Sequence, residues 1–494
     1  MNPDNDIDSP LSLWFESKNS GSRRGTYLPP AHASALPISL VDICVAEISA
    51  ALLRSANSDR FLSIVNSLLP DHLVNRVFQR LTTSSFAWTL DTFSSLLRFD
   101  ATTEIKLPDF VFPARLFKSM AEHDWIFLTC FRLNHQPIKE AALVACVQRM
   151  PVLVLFEGSG NLNLGDDLCR ALVESCTMLE YVNLSMTGIG QVGLTSLLCR
   201  LPCLKTLKVA SLRSVKTSAW RRCIKTEETA DSDKPNSKRP KLSHVPPLAN
   251  IKLRRNEQVS DAVVQSLVQR HLDSIRVLDM MLTGTRPGNL GLHRLRNLEK
   301  LNVTGTSIRA GQLPGFIKSL LQHTQIKVLL LGNMPDLTDA AFADTRDLLV
   351  TRLERLSLFA CPSFGSAGLL NILSAVCHAG ASAKLENLDV SRCGVVESGY
   401  DDHDFPQTQG GSSPLKLLNL SNTKVGDGFC QLLASRFPAL KWLDLTSTRI
   451  TTVGLDSLLE SLSLDWICVE GCRGLKVRGV RSVVHDRLKA LGKQ

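Results

Sequence analysis

The feature that most constrains this chain is a recurring Leu-x-x-Leu-x-Leu, followed three residues on by Thr or Cys. The clearest copy is Leu440, Leu443, Leu445, Thr448 and then Ile450. Others start at Leu415, Leu298 and Leu179 with Thr at the turn, and at Leu385, Leu353 and Leu464 with Cys there. Weaker copies start at Leu128, Met150, Leu204, Ile275 and Ile326. From Ile275 onward the starts lie 23, 28, 27, 32, 30, 25 and 24 residues apart. Within a unit, x-Leu-x-Leu has the period of a strand and sends Leu inward. The residues after it (165–176, 190–201, 426–437 and 452–462) carry apolar side chains at helical spacing. One such unit cannot bury its apolar edges alone, so the units must stack. The expected fold class is an α/β solenoid with a parallel concave sheet and convex helices.

The pattern resembles leucine-rich repeat proteins of the ribonuclease-inhibitor-like and cysteine-containing kind, from about Leu128 to Cys472. The resemblance implies a horseshoe and says little about chemistry. No G-x-x-x-x-G-K-[ST], H-E-x-x-H or G-x-S-x-G occurs, so no enzyme, cofactor or metal site is expected. The 14 cysteines include no CxxC pair, which disfavours zinc. The turn cysteines read as packing residues, and the set as reduced thiols of the cytoplasm or nucleus. Lys+Arg exceed Asp+Glu by 56 − 47 = 9, a mild excess that does not argue for nucleic acid. No stretch has the ~20 apolar residues of a membrane span, and the N-terminus lacks the basic-then-apolar order of a secretory signal.

Six segments follow. Residues 1–35 read as a disordered tail and 36–120 as a helical adaptor-binding and capping region. Repeats fill 121–220 and 257–475, separated by a basic, Pro-containing insertion at 221–256 that reads as disordered. Within it, Lys238, Arg239, Pro240 and Lys241 resemble a short nuclear-import signal. The loop at 400–414 carries Asp401, Asp402, His403 and Asp404 and reads as a hydrated turn. Residues 476–494 are basic with helical spacing and suit a terminal cap.

Two predicted helices precede the repeats. Ser39 with Asp42 reads as a helix start, and Leu40, Cys44 and Ile48 fall on one stripe. Further on, Pro70 and Asp71 suit a first helical turn, with Leu73, Val77 and Leu81 on one face. Together these resemble the BC box and cullin box of receptor subunits of elongin–cullin ubiquitin ligases. In that resemblance Leu40, Cys44 and Ile48 match the first box, and Leu69, Pro70, Leu73 and Val77 the second. Zyg-type receptors place this pair ahead of leucine-rich repeats. The resemblance implies helix-in-groove docking on elongin C and a cullin. The second helix also resembles the opening of an F-box, which docks a Skp-type adaptor, although the later Val-Cys-x-x-Trp stretch of that family is absent. A ligase-independent scaffold, with 36–120 only capping the solenoid, is the remaining alternative.

Under the receptor reading the client lies on the concave sheet, on residues flanking the inward Leu. These include Tyr181, Asn183, Lys208, Arg355, Asn387, Asp389, Trp442 and Trp466. Trp442 and Trp466 occupy the same position in adjacent repeats and, with Arg355 and Phe359, form the expected client patch.

Overall fold

The structure is a computed structural model. It describes residues 26–27, 40–54, 63–65, 67–82, 96–97, 102–107, 114–212, 215, 247–397, 413–462 and 464–475. The chain divides into two compact units, 34–285 and 1–33 with 286–494.

A two-residue strand, β1 (Thr26–Tyr27), belongs to the second unit. The first unit opens with helices α1 (Leu40–Arg54) and α2 (Asp71–Thr82). Seven parallel strands follow in chain order: β2 (Glu104–Lys106), β3 (Cys130–Arg132), β4 (Leu155–Glu157), β5 (Tyr181–Asn183), β6 (Thr206–Lys208), β7 (Asn250–Lys252) and β8 (Val277–Asp279). Between them run α3 (Ala114–Met120), α4 (Glu140–Val147), α5 (Asp166–Ser175), α6 (Gln191–Arg200) and α7 (Asp261–Arg270). The second unit repeats the plan with β9 (Lys300–Asn302), β10 (Val328–Leu330), β11 (Arg355–Ser357), β12 (Asn387–Asp389), β13 (Leu417–Asn419), β14 (Trp442–Asp444) and β15 (Trp466–Cys468), all parallel. Its helices are α8 (Leu313–His323), α9 (Arg346–Arg352), α10 (Ser366–Ala379), α11 (Asp427–Arg436) and α12 (Thr452–Ser461). β1 pairs antiparallel with β15. Each unit is thus an α/β solenoid of leucine-rich repeats, the expected fold class.

The central residue of every three-residue strand is apolar and buried, as at Leu278, Leu356 and Leu443. Each fully buried Leu contributes ~1.5–3 kcal/mol, so stacked Leu columns dominate the stability. Repeat length and composition set the helix. The 32-residue spacing from Leu353 to Leu385 holds the 14 residues of α10. The stretch after β8 carries Pro287, Gly288 and Gly291 and forms only 3-10 turns, Pro287–Asn289 and Leu292–Arg294.

The residue at the turn satisfies backbone carbonyls. The hydroxyls of Thr187, Thr423 and Thr448 donate to the carbonyl three residues back, at 2.7, 2.6 and 2.7 Å. Cys361 and Cys393 instead donate Sγ–H to the preceding repeat, at Leu331 O (3.3 Å) and Leu358 O (3.0 Å). Asn256 does both, to Leu253 O at 2.9 Å and Val209 O at 2.7 Å. The residue just before the turn position is left-handed: Met186, Arg255, Leu282, Ala360, Arg392, Asn422 and Ser447 all have φ between 54° and 58°. For residues other than Gly and Asn this costs about 1 kcal/mol or more each, borne by the packing around it.

A carboxylate at the start of one helix caps the next. Asp166 Oδ1 accepts from Gly190 N and Asp339 Oδ1 from Gly365 N, both at 2.6 Å. Glu140 Oε1 takes Gly165 N (2.8 Å) and Leu168 N (2.9 Å). The donors are otherwise orphaned helix N–H groups, and the negative charge sits at the positive end of the dipole. This explains Gly193 and Gly368, where a Cβ would stand 2.5 Å from Asp166 Oδ1 and Asp339 Oδ1.

Two boundaries, one side chain and part of the tail differ from expectation. Strand β2 lies inside 36–120, so repeats begin before residue 121. Strand β7 lies inside 221–256, because Leu248, Ile251 and Leu253 form a buried repeat core there. Val77, expected on an outward docking face, is instead fully buried. Strand β1 lies inside 1–35, the expected disordered tail, because Thr26–Tyr27 pair with β15; the rest of that tail, Ser39, the basic stretch Lys238–Lys241, the loop 400–412 and residues 476–494 lie outside the described residues. Among the described residues no helix is long and apolar enough to cross a membrane, and no His/Cys/Asp/Glu group is placed to hold a metal ion.

Candidate protein-interaction surfaces

The first surface is built by α1 and α2. Val45, Ser49 and Leu52 form the buried stripe of α1. They recur at i, i+4 and i+7, the spacing of one helical face. The Ser49 hydroxyl donates to Val45 O at 2.7 Å, so burial leaves no orphan. Arg76 of α2 pairs with Asp42 of α1 on the half-exposed side of the two helices. The rest of α1 faces outward while staying apolar. Val41, Ile43 and Leu53 are exposed, Ile43 at 47%; Cys44 is exposed and Ile48 half-buried. Leu40 opens the helix.

On α2 the order differs. Val74, Val77, Phe78 and Leu81 are all buried, at i, i+3, i+4 and i+7. They make the face that covers the start of the repeats, and the Gln79 side chain donates to Glu104 O of β2. Val77 therefore serves the core. Leu69 and Leu73 are half-buried and Pro70 exposed. The outward apolar side chain nearby is Leu68, 75% exposed, with Ile64 also exposed. Sequence reasoning passed over both, because neither falls on the stripe of α2. Single exposed apolar residues are ordinary; here Val41, Ile43 and Leu53 on α1 and Ile64 and Leu68 ahead of α2 are all exposed.

The second surface is the inner sheet face of the C-terminal unit. Leu417, Trp442 and Trp466 stand in direct register on β13, β14 and β15. The Trp442 and Trp466 rings stack with centroids 6.1 Å apart and planes 25° from parallel. Trp442 is half-buried, but Trp466 is only 6% exposed, on the strand that β1 pairs with at Tyr27↔Trp466. Arg355 is also 6% exposed, and its guanidinium reaches the Asn387 amide oxygen at 3.2 Å with the amide turned toward it. Phe359 is half-buried with the Arg392 guanidinium 5.6 Å from its ring centroid. The expected four-residue patch is therefore corrected. Trp442 and Phe359 are accessible; Trp466 backs Trp442, and Arg355 is nearly buried against Asn387 of the next strand. Leu417, missed from sequence, completes the apolar run.

Beside this patch Asp389 is half-buried. Burial pushes its carboxyl above the usual carboxylate range, against hydrogen bonds from Ser391 Oγ (2.6 Å), Ser391 N (3.0 Å) and Ser357 Oγ (3.2 Å). Burial likewise pushes the Cys146 and Cys176 thiols up to about 12 and Cys361 to about 11. A thiol held that far from ionisation is a poor nucleophile at neutral pH.

A family model described as a leucine rich repeat matches residues 175–198, which span β5 and most of α6. The match covers one repeat of the leucine-rich repeat fold described above. No curated protein matches it by sequence. Among solved structures it is similar to a chain of the yeast Rad7–Elc1 complex at 15% identity, covering 86% of this chain and 97% of that one, with a TM-score of 0.43. It is similar to an internalin (InlF) of Listeria monocytogenes at 14% identity, covering 81% and 96%, with a TM-score of 0.38. A chain of the mouse RP105/MD-1 complex follows at 17% identity, covering 78% and 56%, with a TM-score of 0.40. These leucine-rich repeat likenesses are distant and identify no partner for this chain.

Proposed function

We propose that this leucine-rich repeat protein is a non-catalytic substrate receptor of a cullin–RING ubiquitin ligase. It docks elongin C and a cullin through α1 and the Leu69–Leu73 turn, and it holds a client protein on the inner face of the repeats. The observation that carries the reading is the outward apolar face of α1. A helix that only capped the repeats would present polar residues to water. Here Ile43 and Cys44 stay uncovered on the side of α1 away from the buried Val45 and Leu52. An uncovered apolar side chain beside a small one on a helix suits insertion into a partner's groove. Cys44 is exposed and takes the small-residue position of the BC-box resemblance. A receptor needs no nucleophile, because it works by holding the client's lysine near a charged conjugating enzyme. The chain works in the cytoplasm or the nucleus, with Lys238–Lys241 as the import sequence.

The test is a quantitative pull-down of the full-length protein beside a Leu40→Asp/Cys44→Asp variant with an unchanged melting curve. Elongin C and a cullin bound by the parent and lost from the variant are expected. A Skp-type adaptor retained by both replaces this reading with an F-box at Leu69–Leu81. Neither adaptor on either bait removes the ligase reading and leaves an interaction scaffold.

A further inference from the structure

The C-terminal unit opens with a stretch that has no convex helix. The chain makes only the 3-10 turns Pro287–Asn289 and Leu292–Arg294 where the next three repeats place α8, α9 and α10. The turns and α8 enclose a cleft of about 480 Å³. Its floor is Leu292, Phe316 and Leu320, all buried, while Asn289, Gly311 and Gly315 on its rim are exposed. The cleft follows α8. At one end Gln312 Nε2 donates to Asn289 Oδ1 at 3.1 Å, and at the other the His293 and His323 rings stand with centroids 6.1 Å apart. Between those ends the helix rises about 16 Å. A Cβ on Gly311 or Gly315 would meet nothing within 4 Å, so the α8 wall is open down to its backbone.

The charge around the cleft is one-sided. Between residues 286 and 327 the sequence sets one acid, Glu299, against Arg286, Arg294, Arg296, Lys300, Arg309, Lys318 and Lys327. The Arg294 side chain passes 3.5 Å from a Cβ built on Gly291, which lines the cleft. Arg309 immediately precedes the 3-10 turn Ala310–Gln312 at the other end. Both arginines are exposed, and among the described residues neither has an ion pair or a side-chain hydrogen bond.

We propose that this cleft docks a short, acidic, amphipathic helix of a protein partner. Apolar side chains of that helix enter between the turns and α8, and its carboxylates meet Arg294 and Arg309. The length of the cleft sets the segment, since ~16 Å holds about 11 helical residues. The bare glycines let the partner's backbone approach α8 closely. The charge sets the sign, because an acid-poor rim attracts carboxylates and repels a basic helix. Nucleic acid offers phosphates to the arginines but no aliphatic side chains to the Leu292, Phe316 and Leu320 floor. The site uses no residue of the adaptor helices or of the tryptophan patch, and the inference stands without the ligase reading.

The experiment selects displayed helical peptides, about 11 residues long and random in sequence, on the purified full-length chain. Peptides that also bind a Gly315→Leu chain are first depleted. Leu at that position fills the cleft from its wall, and it favours helix over Gly, so a melting temperature at or above the parent's is expected. The surviving peptides are expected to carry Asp or Glu beside Leu-like residues at helical spacing. Fluorescence anisotropy with these peptides is expected to show binding that weakens as salt rises, and an affinity at least about tenfold lower for Arg294→Glu/Arg309→Glu. If the Gly315→Leu chain melts early, the depletion is made on the arginine variant instead. The proposal is overturned if no peptide survives depletion, if the survivors carry no excess of acids, or if they bind the arginine variant unchanged. It is equally overturned if a single-stranded oligonucleotide binds the parent more tightly than they do and is lost from both variants.

Discussion

His271 ends α7 and is buried under the repeat core, with its backbone N–H bonded to Leu267 O at 3.1 Å. Burial first, and then the charge of Arg270, lowers its titration midpoint from 6.5 to about 4. The folded chain therefore holds His271 neutral, and the unfolded chain competes for the proton. The contribution to stability is fully present above the unfolded value and is lost as pH falls through it toward the folded one. A drop of about 2.5 pH units in the midpoint is worth roughly 3 kcal/mol once both midpoints are passed. Between neutral pH and about pH 5 the loss is roughly 2 kcal/mol. The perturbation is His271→Gln, which carries no proton-linked charge. Denaturant unfolding of parent and variant at both pH values gives the double difference, which cancels every other titrating group. The parent is expected to lose roughly 2 kcal/mol more than the variant on acidification. A double difference within about 0.5 kcal/mol of zero would show that the imidazole meets water or a counter-charge, and would refute the reasoning.

Other expectations follow from the same geometry. Gly193→Ala adds helix propensity, yet its Cβ falls 2.5 Å from Asp166 Oδ1 and 2.8 Å from Cys169 Sγ. The cap must give way, so the melting temperature falls by the equivalent of ~1–2 kcal/mol, and Asp166→Ala in the same chain recovers part of that loss. Asp389, raised by burial, contributes most at low pH and loses stability as pH rises through its folded midpoint. Asp389→Asn is thus expected to unfold at higher denaturant than the parent at neutral pH, with the difference shrinking in acid. A thiol reagent at neutral pH is expected to label Cys44 and Cys203 within the described residues, and the buried turn cysteines only after unfolding. Mass mapping of the labelled peptides reads this directly, and fast native labelling of Cys361 or Cys393 would contradict it.

The repeat architecture was legible because its signal is local and periodic. Leu440, Leu443 and Leu445 declare a strand and its buried side within six residues, and twelve starts reinforce one another. The repeats at β2 and β7 escaped because Ile105–Leu107 and Leu248–Leu253 stand beside polar or Pro-containing text that masks a single weak copy. The adaptor helices show a different limit. A stripe at i, i+4 and i+7 announces a face to be covered, without saying by what. Val77 and Cys44 both sit on such stripes, and only the packing of α2 on the first repeat assigns Val77 to the core while Cys44 remains outside.

The amino-acid order alone decided the α/β class, the parallel pairing of successive strands and the identity of the buried Leu columns, since each follows from contacts within one repeat or between neighbours. It also placed Trp442 beside Trp466, because equal positions in adjacent repeats must stack. The tertiary structure alone decided exposure. Trp466 and Arg355 look like surface residues by position and are nearly sealed, while Lys208 and Lys252 meet although 44 residues separate them. It alone revealed the left-handed turn residues and the carboxylates that cap the following helix. Accessibility and charge coupling are sums over everything that packs around a side chain, and residue spacing carries only the nearest part of that sum.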